Sequence, residues 1–118
     1  MTKKILVIED NDDILEALSI ILKSASYEVH LSKGRESILG LIENTEPKLI
    51  ILDALLGGVD GREIAKKIKE DTRLSGIPII MISAHPELEQ MAFECGIEDF
   101  ISKPFDISTL LGKVRAYI

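Results

Sequence analysis

Short, unbroken apolar runs alternate with stretches whose apolar residues recur every three or four positions, and this alternation continues along the whole chain. Lys4 to Ile8, Leu49 to Leu52 (ending on Asp53) and Ile77 to Ile82 (ending on Ser83-Ala84) are continuous Ile/Leu/Val-rich runs. Such runs fit strands covered on both faces, because a strand wetted on one side alternates instead. Glu28 to Ser32 does alternate, and Asp99 to Ser102 is short; both suit sheet edges. Between the runs lie helical patterns. The first carries Ile14, Leu18, Ile21 and Leu22, with Asn11 or Asp12 placed to cap it. Arg35 to Glu43 turns Ile38, Leu39, Leu41 and Ile42 inward, and Pro47 interrupts the connection that follows. A third helix, after the loop Gly57-Gly58-Val59-Asp60-Gly61, carries Ile64, Ala65 and Ile68. A fourth begins near Pro86, offers Met91, Ala92 and Cys95 as its apolar face, and stops at Gly96. The last, from Asp106, carries Ile107, Leu110, Leu111, Val114 and Tyr117.

This is a βα unit repeated five times. Units of that kind form an α/β fold in which right-handed crossovers place helices on both faces of a parallel sheet. The expectation is a five-stranded, flavodoxin-like (βα)5 three-layer sandwich of order 2-1-3-4-5, with the two least apolar strands outermost. The 118 residues suit one domain spanning 1–118, and at this size roughly two-thirds of the unfolded chain's surface can be buried.

Charge and composition narrow the function. The net charge is -6, with no basic stripe, which disfavours direct contact with nucleic acid or an anionic membrane. The apolar runs are too short to span a bilayer. The basic start Met1-Thr2-Lys3-Lys4 is followed by an apolar stretch that breaks at Glu9-Asp10 with no cleavage site, so a cytoplasmic protein is expected. One cysteine, Cys95, allows no intrachain disulfide and no Cys-based zinc site.

In open α/β sheets ligands bind beyond the carboxyl ends of the strands. Here the first strand ends in Glu9-Asp10, the third in Asp53, the fourth in Ser83, and the fifth runs into Lys103. Neighbouring strands are about 4.8 Å apart, so these side chains converge. Crowded carboxylates call for a hard divalent cation, and oxygen donors without His or Cys select Mg²⁺ or Mn²⁺. Mg²⁺ keeps open positions for phosphate oxygens. Asp53 could then attack phosphorus to form an acyl phosphate, with Lys103 and Ser83 stabilising the transferring group.

The chain resembles the receiver domain of bacterial response regulators over essentially its whole length. Val7-Ile8-Glu9-Asp10-Asn11, Ile51-Leu52-Asp53, Val59-Asp60-Gly61, Met81-Ile82-Ser83-Ala84 and Ser102-Lys103-Pro104-Phe105 carry the likeness, in order and each near a strand end. The resemblance implies that Asp53 is the phospho-acceptor, that Asp10 ligates Mg²⁺ directly and Glu9 through water, and that the Leu55 backbone carbonyl completes the protein ligands. It implies that Ser83, Lys103 and the Ala84 N–H bind the phosphoryl group, that Phe100 is the switch aromatic, and that the Lys103-Pro104 peptide is cis. The implied partners are a sensor histidine kinase or phosphotransfer protein, and a protein target at the face of the fourth and fifth helices. A phosphorylation-dependent dimer is also implied as an option. The only catalysis implied is self-phosphorylation and self-dephosphorylation.

The sequence also departs from the family pattern. Gly57 stands where a proline is frequent and is expected to loosen the loop after the acceptor. Leu55 and His85 occupy the variable positions beside the path of the hydrolytic water, and an apolar Leu55 cannot orient that water. Phe100 lacks a tyrosine hydroxyl, so packing alone would hold it inward. Three other readings compete. A flavin protein would need a phosphate-binding loop where the acidic Glu9 to Asp13 lies; an Asp-nucleophile phosphatase would need a second acid where Leu55 stands; a pseudo-receiver scaffold would not need the acidic set at all.

Overall fold

The computed structural model describes residues 3–118; Met1 and Thr2, half of the basic start, lie outside the described residues. The strands are β1 (Lys4–Ile8), β2 (Glu28–Ser32), β3 (Leu49–Asp53), β4 (Leu55–Leu56), β5 (Val59–Asp60), β6 (Ile79–Ser83) and β7 (Asp99–Ser102). The helices are α1 (Asp12–Ser24), α2 (Ile38–Thr45), α3 (Gly61–Glu70), α4 (Glu89–Glu94) and α5 (Ile107–Tyr117). The main sheet is parallel with order β2-β1-β3-β6-β7. With the β4–β5 ribbon set aside, this is the expected 2-1-3-4-5.

The strand period of two sorts the core into two layers. Leu6, Ile8, Ile50, Leu52, Ile79, Met81 and Phe100 face α2, α3 and α4 through Ile42, Ala65, Ile68 and Ala92. Ile5, Val7, Leu49, Ile51, Ile80, Ile82 and Ile101 face α1 and α5 through Leu15, Leu18, Leu22, Leu110 and Val114. Each large buried aliphatic contributes about 1.5–3 kcal/mol of transfer free energy, so the doubly covered β1, β3 and β6 anchor the fold. Side-chain caps begin the helices: Asn11 accepts from Ile14 N at 3.0 Å and Asp106 from Thr109 N at 2.6 Å.

Several boundaries move. Helix α2 starts at Ile38 because Ser37 accepts from Gly40 N and caps it three residues later than expected. Ile77 precedes β6, where Pro78 contributes only its carbonyl, accepting from Ile50 N. Pro86 opens a 3₁₀ turn, Pro86–Leu88, and α4 follows as a six-residue helix. Of its expected apolar face only Ala92 is buried; Met91 is 51% exposed and Cys95 half-buried. Ile107 likewise faces outward from the first turn of α5.

The edge of the sheet away from Asp53 is braced by Lys69 at the end of α3. Its Nζ donates to Glu98 Oε2 at 2.9 Å and to the Ile77 carbonyl at 2.8 Å, while Glu98 Oε1 accepts from Ile79 N at 2.8 Å. The Lys69 stem packs so closely on Gly96 that a Cβ there would lie 3.1 Å from Cγ.

Gly61 is the tightest backbone approach. A Cβ at this position would stand 2.1 Å from the Asp53 carbonyl oxygen and 3.0 Å from Ala54 Cα. Gly112, exposed within α5, meets nothing within 4 Å. In urea denaturation Gly61→Ala is expected to lose about 1–3 kcal/mol or more by overpacking, and Gly112→Ala to gain roughly 0.5–1 kcal/mol from helix propensity. Equal effects at the two positions would contradict the close approach at Gly61.

Candidate functional site

Parallel register sets the site. Ile8 pairs with Leu52, so Glu9 and Asp10 leave β1 beside Asp53 at the end of β3. Asp53 pairs with Ile82, and Ser83 with Ser102, which delivers Ser83 and Lys103 to the same edge. Three backbone bonds hold these exits: Glu9 N to Ser32 O at 3.0 Å, Ala54 N to Ile82 O at 2.9 Å, and Lys103 N to Ser83 O at 2.7 Å. The Lys103-Pro104 peptide is cis.

Glu9, Asp10 and Asp53 each offer a carboxylate oxygen, and those oxygens lie within 4.8 Å of one another. Glu9 is 0% exposed and Asp53 6%, while Asp10 is half-buried. Lys103 Nζ donates to Glu9 Oε1 at 2.7 Å and stands 3.5 Å from Asp53 Oδ1. Were all four groups ionised, three negative charges would face one positive charge, a net of two negative. Each like-charge pair at about 4 Å costs of order 4 kcal/mol at an effective dielectric of 20.

Glu9 registers that cost. Burial, followed by the adjoining Asp53, pushes its carboxyl up to about 8, although Lys103 pulls the other way. Desolvation prevails because no part of the side chain reaches water. Glu9 Oε2 is buried without a hydrogen-bond partner among the described residues. An orphaned buried carboxylate oxygen beside two further carboxylates is a donor set that a hard cation satisfies. The residues present therefore fit Mg²⁺.

The other expected residues are distributed around this cluster. Ser83 is 1% exposed, and its Oγ accepts from His85 N at 2.9 Å. Ala84 is exposed on the loop that follows. Leu55 N donates to Asp53 Oδ1 over a long 3.4 Å, and its side chain is 45% exposed. His85 is also exposed, with Nδ1 3.3 Å from Glu87 Oε1. Phe100 is not part of this cluster; it is buried in the layer that contains Met81, Ala92 and Ile97.

The segment after Asp53 is not a loose loop. Leu55 pairs with Asp60 and Leu56 with Val59 in an antiparallel ribbon. Gly57 and Gly58, at φ of 47° and 96°, make its turn, a two-residue left-handed connection that suits a hairpin. Gly57 also leaves room for the site: a Cβ there would lie 2.9 Å from Asp10 Oδ2. A Gly-Gly pair between apolar residues was the available hairpin signal. Sequence reasoning also missed an apolar cavity of about 470 Å³ between α1 and the β7–α5 turn, where Ile14, Ala17, Ile21 and Phe105 border Lys103.

Comparison with known proteins agrees with this geometry. Residues 5–115 match the response regulator receiver domain. The transcriptional regulator RpaA of Synechocystis sp. is 32% identical, over 98% of this chain and 48% of its own length. The phosphate regulon regulatory protein PhoB of Pseudomonas aeruginosa is 33% identical, over 98% and 52%. The chain thus spans about half the length of these curated relatives. Among solved structures, the chemotaxis protein CheY4 of Vibrio cholerae superposes with a TM-score of 0.90 at 25% identity, covering 100% of both chains. A CheY-like receiver domain protein of Methanospirillum hungatei gives 0.87 at 28%, covering 98% of this chain and 93% of its own. The paired acidic ends of β1 and β3, the lysine after β7 and the matched family together place this chain among the response regulator receiver domains.

Proposed function

We propose that the protein is a phosphorylation-activated switch whose acceptor is Asp53. One observation carries this reading: Asp53 lies between an acidic pair, one of whose buried oxygens is unpartnered, and the ammonium of Lys103. A carboxylate oxygen of Asp53 attacks the phosphorus of a phosphohistidine on a kinase or phosphotransfer protein. The O–P bond forms as the N–P bond breaks, and the donor imidazole leaves and takes up a proton. Asp10, Asp53 and the Leu55 carbonyl would hold Mg²⁺, with Glu9 acting through water, and a bound ion would supply positive charge to offset that of the phosphoryl oxygens. Lys103 moves its contact from Glu9 toward the phosphoryl group, a short step from 3.5 Å. Ser83 turns its hydroxyl proton away from the His85 carbonyl, a long 3.5 Å contact, to donate to the same group, and the Ala84 N–H adds a second donor.

This recruitment of Ser83 is what Phe100 and the α4–α5 face report to a protein target. Met91 and Phe93 expose apolar surface on α4 for such a partner. The apolar cavity beside Lys103 gives the phosphodonor a surface on the opposite side of the acceptor. Output through protein contact suits a net charge of -6 better than direct DNA binding by this domain.

The acceptor is tested by intact mass after incubation with acetyl phosphate. Wild type with Mg²⁺ should gain one phosphoryl group, and neither Asp53→Asn nor wild type in chelator should; labelling of Asp53→Asn would remove Asp53 from the role.

Metal affinity should depend on pH. With no ion bound, folded Glu9 keeps a proton up to about pH 8 that the unfolded chain releases near 4.5. The stability this contributes is complete below 4.5 and lost as pH rises to 8. Mg²⁺ favours the ionised group, so calorimetric affinity should climb from pH 6 to 8 with proton release, then level off. A flat profile would separate Glu9 from the ion.

Leu55 cannot hydrogen-bond the hydrolytic water, so the acyl phosphate should persist for minutes or longer. Loss within seconds in a phosphate-release time course would refute that role.

A further inference from the structure

Arg62, in the first turn of α3, is used by none of the chemistry above, yet it joins three elements. Its Nε and Nη2 fork onto the Asp60 carboxylate at 3.0 and 2.8 Å, and its backbone N donates to the same Oδ1 at 2.9 Å. The guanidinium holds the Asp60 carboxyl below the usual carboxylate range. Nη1 extends the other way and lies 3.3 Å from the Met91 sulfur on α4. The guanidinium thus spans a cavity of about 460 Å³ between α3 and α4.

One end of this span bears on the ribbon and the other on a lightly buried helix. Asp60 is paired across the ribbon with Leu55. It also immediately precedes Gly61, whose N donates to Ala54 O at 2.8 Å. At the other end, Ala92 is the only buried side chain of α4, so a few contacts decide where that short helix sits. A thioether is a weak acceptor, but a planar guanidinium already fixed by a bidentate carboxylate loses little freedom in meeting it.

We infer that Arg62 is a positioning residue that ties the Leu55–Asp60 ribbon to Met91, so that loading a divalent cation at the acceptor shifts α4 before any phosphoryl group arrives. This rests on the proposed use of the Leu55 carbonyl as a metal ligand. Drawing that carbonyl toward an ion moves Asp60, the fork carries the movement to Arg62, and Nη1 carries it to Met91. The route is separate from the one through Ser83, which needs a phosphoryl group as its acceptor. By linkage, whatever fixes α4 also alters the affinity for the ion by the same factor.

The test is Mg²⁺ titration of ¹⁵N-labelled protein without phosphodonor, comparing wild type with Arg62→Ala and Met91→Leu. The second variant keeps side-chain volume and removes only the sulfur acceptor, at an exposed position. Wild type should show ion-dependent shifts at Asp10 and Leu55 and also at Gln90 to Glu94. Both variants should keep the first set and lose the second. Shifts at Asp10 and Leu55 with a silent α4 in wild type would overturn this inference alone. So would α4 shifts that persist in both variants. Silence at Asp10 and Leu55 would overturn the metal site itself, and this inference with it.

Discussion

The burial of Glu9 beside Asp53 is the constraint around which the carboxyl edge of the sheet is organised. A carboxylate removed from water and set next to another is costly, and Lys103 alone offsets only part of that cost. The fold sustains it because β1, β3 and β6 are covered on both faces and backbone bonds fix each strand exit. Positions that would relax by turning toward solvent in a loop have no such freedom here. The crowded acidic edge is therefore a product of the core as much as of the acidic residues.

The same rigidity explains why glycine recurs at the edge. Gly57 clears space beside Asp10, and Gly61 lets α3 begin against the Asp53 carbonyl. Gly57 lies in the turn of the ribbon and Gly61 just past its end, and within it Leu55 pairs with Asp60. A side chain at either glycine would press on Asp10 or on the Asp53 carbonyl and push the ribbon away from the carboxylates. Lys103 is held in a comparable way, through its backbone bond to Ser83 and its contacts with two acids.

Much of this was legible in the sequence because burial on two faces leaves a strong mark. Leu49 to Leu52 and Lys4 to Ile8 could hardly be anything but inner strands, and the strand order and the convergence of Glu9, Asp10, Asp53 and Lys103 followed from them. Weakly patterned segments were less readable. Leu15 is buried without having been singled out, beside Ile14, which packs half-buried against the same core as expected. Met91 and Ile107 look like core in a list of hydrophobic residues but face solvent. The ribbon was hidden because two-residue strands carry no period. The Asp60–Arg62 fork was hidden because residues two apart do not face each other on a helix; they meet here because Asp60 stands outside it as the cap.

The brace at Lys69 has a mechanical consequence. Gly96, just past the end of α4, rests on the Lys69 stem, which is tied to Glu98 and to the Ile77 carbonyl. The other end of α4 continues from a 3₁₀ turn whose Pro86 and Glu87 are exposed, with Leu88 half-buried on the core and Met91 meeting Arg62 as its lighter fastenings. A rod held more firmly at one end than at the other swings more readily than it slides. Displacement of this helix is thus a tilt about Gly96, small near the clamp and largest at Glu89, so a partner gripping its first residues would sense the greatest excursion.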